Sequence, residues 1–416
     1  MSDPSTAIDA EAVLKTFDAL DQTLRDSGPS AALDLLVQRL EARGDFRGLL
    51  DALLLKARHE LGLPLVQLGG FSDFPEDKRT SYEERYVESI RAVGSKLLAL
   101  GDIPGAWPYF RAIGEPDPVV RAIDVFEPAD DDPRVAPVVE VAFNQGANPR
   151  RGFALILKHY GTCSAITAFE QLPRDEATRL AAADGLVRQL HEHLVSNLRG
   201  EIAQRGQPLP PERTTITDLI AGRDWLFSDE SYHIDVSHLS ATVRVSPLLA
   251  DPATIALAAE LTDYGRQLST RLRYEGDTPF ENVYADHGIY LKALLGQDVE
   301  AALAHFRSKL APARVEVEVE AETEADVDLE FDAERREHDA AAVAQVLVGL
   351  LVRLGRIDEA IGVAAEHLAG IPEAALICPG VSQLCQRAGR PDRLAEIARD
   401  QGDLVNYTAA LLQVGL

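Results

Sequence analysis

Five times along this chain a glycine closes a leucine- or alanine-rich stretch, and a small or aliphatic residue stands five positions later. The pairs are Gly44/Leu49, Gly101/Ala106, Gly296/Ala301, Gly355/Ala360 and Gly389/Leu394. The phrase reads as helix, tight turn, helix, and its reuse points to stacked helical hairpins. It constrains the fold strongly and names no activity. No reaction-specific motif accompanies it: there is no Gly-rich phosphate loop, no GxSxG and no dinucleotide fingerprint.

The composition agrees with helices. Apolar residues make up 46% of the 416, enough for a large core, while aromatics are only 6%. Leucine and alanine dominate the apolar set, and both lose little side-chain entropy in a helix. The length suits two or three domains or one extended array. The net charge is −26, and Val315 to Asp339 alone hold twelve acidic residues against two arginines. Such a chain repels phosphate backbones and anionic bilayers, so nucleic-acid and membrane partners are not expected. Cys163, Cys378 and Cys385 form no CxxC pair, which suits a reducing compartment. The N-terminal MSDPSTAIDAEAV lacks an apolar secretory core, and no apolar run approaches the ~20 residues of a membrane span. A cytoplasmic location is expected.

Along the chain, residues 1–115 read as N-terminal helical hairpins, 116–283 as a connector and an elaborated central helical region, and 284–416 as C-terminal hairpins. The last part is interrupted by the acidic segment 315–339. Within it, 315–331 (VEVEVEAETEADVDLEF) alternates apolar and acidic residues. That period suits a short strand, whereas the like charges and poor strand formers suit a solvated acidic linker. Both readings stand. Further on, LLVRLGRIDEAIGVAAEHL places Leu351, Leu354, Gly355, Ala360, Ile361 and Ala364 in a familiar order, and LCQRAGRPDRLAEIA follows 34 residues later. These two phrases resemble tetratricopeptide repeats in residue class and period. The resemblance covers about the last 80 residues well and the two N-terminal pairs loosely. It implies an all-α, tetratricopeptide-like solenoid of helical hairpins that binds a partner.

Four constellations bear on chemistry. Residues 224–244 gather Asp229, Glu230, His233, Asp235 and His238, with Asp235 placed to cap a helix starting at Val236. A helix beginning between His233 and His238 lets the two imidazoles converge. Tyr284-Ala285-Asp286-His287 precedes the Gly296 turn. Imidazole with carboxylate is the ligand set of zinc, iron or manganese. His233, Asp235, His238, Asp286 and His287 are therefore candidate metal ligands, with Glu230 as a base for metal-bound water. His159 and Cys163 are four apart, the spacing of a nucleophile and its base on one helix, although Gly161 between them argues for a helix end. Arg266 and Arg273, seven apart, would share a helix face and could grip an anionic ligand. His191-Glu192-His193 lacks zinc-protease spacing. Two helical residues two apart point about 200° from each other, so His191 borders the leucine stripe and His193 faces solvent.

The leading expectation is a binding or scaffold protein that holds a peptide, protein or small molecule. The alternative is a metal-dependent hydrolase or lyase built from segments 229–238 and 284–287. The two differ in whether those side chains converge.

Overall fold

The structure is a computed structural model that describes residues 10–66, 74–208, 211, 214–310 and 325–414. The chain divides into two compact units, Met1–His159 and Tyr160–Leu416. Both are helical. Among the described residues there is no strand, only an isolated antiparallel bridge between Glu275 and Asn282. No described helix is long and apolar enough to cross a membrane.

In the first unit, α1 (Ala10–Ala42), α2 (Phe46–Glu60), α3 (Glu76–Ala99), α4 (Ile103–Ala112) and α5 (Asp117–Asp124) pack each on the next. α6 (Val135–Val139) packs on α4 and runs into a π-helical turn at Glu140–Asn144. The recurring glycine explains the joints. Gly44 and Gly101 have φ of 69° and 78°, which a Cβ would resist. The next N–H then donates to the carbonyl five residues back, Asp45 to Leu40 at 3.1 Å and Asp102 to Leu97 at 2.9 Å. This is the Schellman closure of a helix end. The same aspartates start the following helices, accepting from the N–H of Gly48 and Gly105 at 2.9 Å each. One phrase, Gly-Asp-x-x-Gly, stops one helix and caps the next. α1 is itself broken, at Gly28 before Pro29.

α7 (Pro149–Gln171) loses helical geometry at Gly161, and the second unit begins at Tyr160. There α8 (Glu176–Gln204) presents Leu186, Leu190, Leu194 and Leu198, one every fourth residue and all buried. A fully buried leucine contributes about 1.5–3 kcal/mol. α9 (Ile216–Ile220), α10 (Val236–Val245), α11 (Pro252–Gly265) and α12 (Val283–Leu294) gather around it: α10 and α11 pack on α8, and α12 packs on both of them. Beyond α12 the helices again pack in order: α13 (Val299–Leu310), α14 (Ala325–Arg353), α15 (Ile357–His367), α16 (Val381–Ala388), α17 (Pro391–Gln401) and α18 (Leu404–Val414). Gln297, Arg356 and Arg390 close the Gly296, Gly355 and Gly389 turns as Asp45 and Asp102 do. Tyr290, Phe306, Leu347, Leu351, Ile361 and Leu384 share one core.

The acidic segment is corrected in part. Residues 325–331 are helical, the first turns of α14, because they lead into a run rich in Ala, Glu and Arg. Residues 315–324 lie outside the described residues.

Two helical glycines serve opposite ends. A Cβ on Gly265 would stand 2.3 Å from the buried Tyr284 ring, so that glycine lets α11 and α12 approach. A Cβ on Gly200, within α8, would meet nothing within 4 Å. Gly265→Ala is expected to lower stability by about 1–3 kcal/mol through overpacking, and Gly200→Ala to raise it by about 0.5–1 kcal/mol. Urea-denaturation midpoints of the two variants should move in opposite directions.

Candidate functional site

One face of α8 carries Ser196, Asn197, Gly200, Glu201 and Gln204, and the segment Tyr232–Asp235 lies across from it. Between them is an open groove of about 530 Å³. The far wall is braced at both ends. Asn197 Nδ2 donates to the His233 carbonyl at 2.7 Å, and the His233 N–H donates to the Tyr264 hydroxyl at 2.8 Å. Asp235 caps α10, accepting from the N–H of Ser237 and His238 at 2.8 and 3.1 Å. Hydrogen bonds from the Ser237 hydroxyl and these amides hold its carboxyl below the usual aspartate range.

The His233 ring is fixed as well. Its Nδ1 lies 3.1 Å from the Tyr264 hydroxyl, and Phe227 meets its edge. Burial lowers the His233 pKa and raises that of Tyr264, so both are neutral at neutral pH. The Tyr264 oxygen already accepts the His233 amide, and its proton is free to go to Nδ1. The tautomer assigned from this pattern carries its proton on Nε2.

The second sequence cluster is used otherwise. Asp286, at the start of α12, is buried and held by three groups. Its carboxylate accepts the Asn282 N–H at 2.9 Å, pairs with His305 Nε2 at 2.8 Å, and lies 3.1 Å from Lys309 Nζ. Lys309 also bonds the Pro279 carbonyl at 2.5 Å and pairs with Glu281. His287 donates from Nδ1 to the Val283 carbonyl at 2.7 Å and stacks on Phe280 with centroids 4.0 Å apart. Both side chains are consumed in joining α12 to α13 and to the loop before it.

The structure does not bring the five candidate ligands together around one point. Among the described residues no three His, Cys, Asp or Glu side chains come together as a metal would require. His233 turns to Tyr264, Asp235 caps its own helix, His238 lies in the first turn of α10, and Asp286 and His287 are held locally. Glu230, the expected base, stands in an exposed pair with Arg271 at 3.4 Å.

His159 and Cys163 lie on either side of the break at Gly161, so their spacing of four does not put them on one helical face. Cys163 is exposed. Arg266 and Arg273 do not share a helix either, because α11 ends at Gly265. Arg273 instead reaches back to the carbonyls of Leu268 and Arg266 at 2.8 and 2.6 Å, closing the chain after α11. Arg151 likewise serves its surroundings, bonding the Phe126 carbonyl at 2.6 Å.

A further pair emerges only from the fold. His191 Nε2 lies 2.9 Å from the Glu260 carboxylate, which also accepts the Ile216 N–H at 2.8 Å. They border a pocket of about 380 Å³ with Thr214, Thr215, Val195 and Leu257. Glu260 is 69 residues from His191, and no local spacing signals such a partner. His193 is exposed, as its place opposite the stripe implies. No protein-family model matches the chain, and no curated protein matches it significantly.

Proposed function

We propose that this chain is a helical-repeat binding protein, of the tetratricopeptide-like kind its C-terminal phrases resemble, and that it holds a small-molecule or peptide ligand. The observation that carries the reading is the α8 groove. It is open, of a size typical of ligand sites, and walled by a segment whose main chain is held at His233 and whose His233 and Asp235 side chains are already engaged. A site that is ordered before binding loses less entropy when it is filled. The polar groups that turn toward each other elsewhere, around Asp286 and Arg273, are satisfied internally and leave little for a ligand. Helices packed in sequence from α12 to α18 support the repeat reading, since arrays of this type commonly serve as binding scaffolds.

The test is a thermal-shift screen of a mixed small-molecule and short-peptide library against the wild type and Gly200→Trp, which places an indole in the groove. The expected result is at least one compound that stabilises the wild type, by about 2.7 kcal/mol at a hundredfold excess over Kd, and leaves the variant unmoved. Compounds that stabilise both proteins equally would place binding elsewhere and overturn the assignment.

A further inference from the structure

We infer that the α8 groove takes a neutral, polyhydroxylated ligand, a mono- or short oligosaccharide. The inference rests on the binding function proposed above and names its ligand class.

The chemistry of the walls selects for hydroxyl groups. No lysine or arginine lines the groove, so nothing there anchors a phosphate, sulfate or carboxylate. The lining carboxylate of Asp235 opposes an anion further, and Arg205, the guanidinium beside the groove, is engaged with Glu201 at 3.5 Å and with the Trp225 ring. What remains is a set of both donors and acceptors spaced along one helix face: the Asn197 and Gln204 amides, the Glu201 carboxylate and, opposite them, the His233 imidazole. A sugar hydroxyl donates once and accepts twice, so vicinal hydroxyls pair with such a mixed set where a purely donating or purely accepting ligand cannot. Asn197 has already spent one donor on the His233 carbonyl, which leaves its side-chain oxygen available.

The apolar part of the groove fits the same ligand. Tyr232, on the segment facing α8, is 56% exposed and lines the groove. An exposed ring beside amides and carboxylates offers a flat surface to the C–H face of a pyranose while the polar groups take its rim. Gly200 fits the same ligand. Glycine inside a helix costs about 1 kcal/mol relative to alanine, and at Gly200 no neighbour requires the missing Cβ. Its effect is to leave the floor of the groove open.

The experiment is saturation-transfer NMR on the full chain with maltotriose, cellotriose and N,N′-diacetylchitobiose as neutral probes, trigalacturonate as an anionic probe and spermidine as a cationic one. Gly200→Trp fills the groove, and Tyr232→Ala, on an exposed side chain, removes the platform without touching the helix. Circular dichroism confirms that each variant is folded. At least one neutral saccharide is expected to bind the wild type, with affinity reduced tenfold or more in Tyr232→Ala and abolished in Gly200→Trp. Should Gly200→Trp fail to fold, the Tyr232→Ala comparison decides alone. If spermidine or trigalacturonate binds in the groove and no neutral saccharide does, the ligand class is wrong and the binding function stands. If no probe binds, or binding ignores both substitutions, the saccharide inference is overturned; the library screen with Gly200→Trp then separately decides the binding function.

Discussion

Asp286→Ala is expected to lower the unfolding free energy by about 3 kcal/mol, the lower end of what removing one partner of a buried ion pair costs. The Asp286 side chain is only 5% exposed and that of Lys309 18%. Losing the carboxylate strips the Asn282 N–H of its acceptor and His305 Nε2 of its partner. The loss sits at the lower end because Lys309 keeps Glu281 and the Pro279 carbonyl. Asp286→Asn separates the contributions. It keeps an oxygen for the Asn282 N–H and gives up the charge, so a smaller loss of about 1–2 kcal/mol is expected from the weakened ionic contacts. Urea denaturation at pH 7 with a common m-value checks both. A loss below 1 kcal/mol for the alanine variant would show that the cluster contributes little to joining α12 and α13.

The helix turns and the charge pairs differ in how far the sequence discloses them. The turns were legible because each is written within six residues: an apolar run, a glycine with positive φ, and a first residue of the next helix. The Asp235 cap was legible for the same reason, and α10 begins at Val236 with Leu239 and Val243 buried. The partners of the charged groups were not. Asp286 finds His305 and Lys309 on the next helix, and His191 finds Glu260 across 69 residues. Read locally, Asp286-His287 resembles a ligand pair, whereas in the fold each side chain answers a different neighbour. Arg266 and Arg273 show the converse error. A spacing of seven implies one helix face only if the helix continues, and Gly265 ends it.

The groove was half legible. The segment around His233 and Asp235 is marked in the sequence by its gathering of Asp229, Glu230, His233, Asp235 and His238. Its opposite wall, the Asn197–Gln204 face of α8, carries no motif at all. That face is legible only from the gap in the buried stripe: Leu194, Leu198 and Ile202 point inward, which turns Asn197, Gly200 and Gln204 to another side. Helical periodicity locates a face and leaves its partner to the tertiary fold.

Acidification is expected to destabilise the second unit through His287. Burial, opposed by the Nδ1 bond to Val283 and added to by the Arg244 charge, pushes its pKa from the ordinary 6.5 to about 4. The unfolded chain therefore takes up a proton below pH 6.5 that the folded chain refuses until about pH 4. Stability from this group is complete above 6.5, falls as the pH drops, and levels off below the folded value. The loss is about 2 kcal/mol at pH 5 and about 3 kcal/mol at pH 4, from the gap between the two pKa values. Other carboxylates also contribute to acid denaturation, so the wild type is compared with His287→Leu, which keeps the volume and cannot titrate. The variant loses the Val283 hydrogen bond and starts less stable at pH 7. Its stability should then fall less steeply, so that the two curves converge by about 2 kcal/mol between pH 7 and pH 5. Parallel curves would mean that His287 takes up its proton in the folded state near 6.5 and would overturn the prediction drawn from its burial.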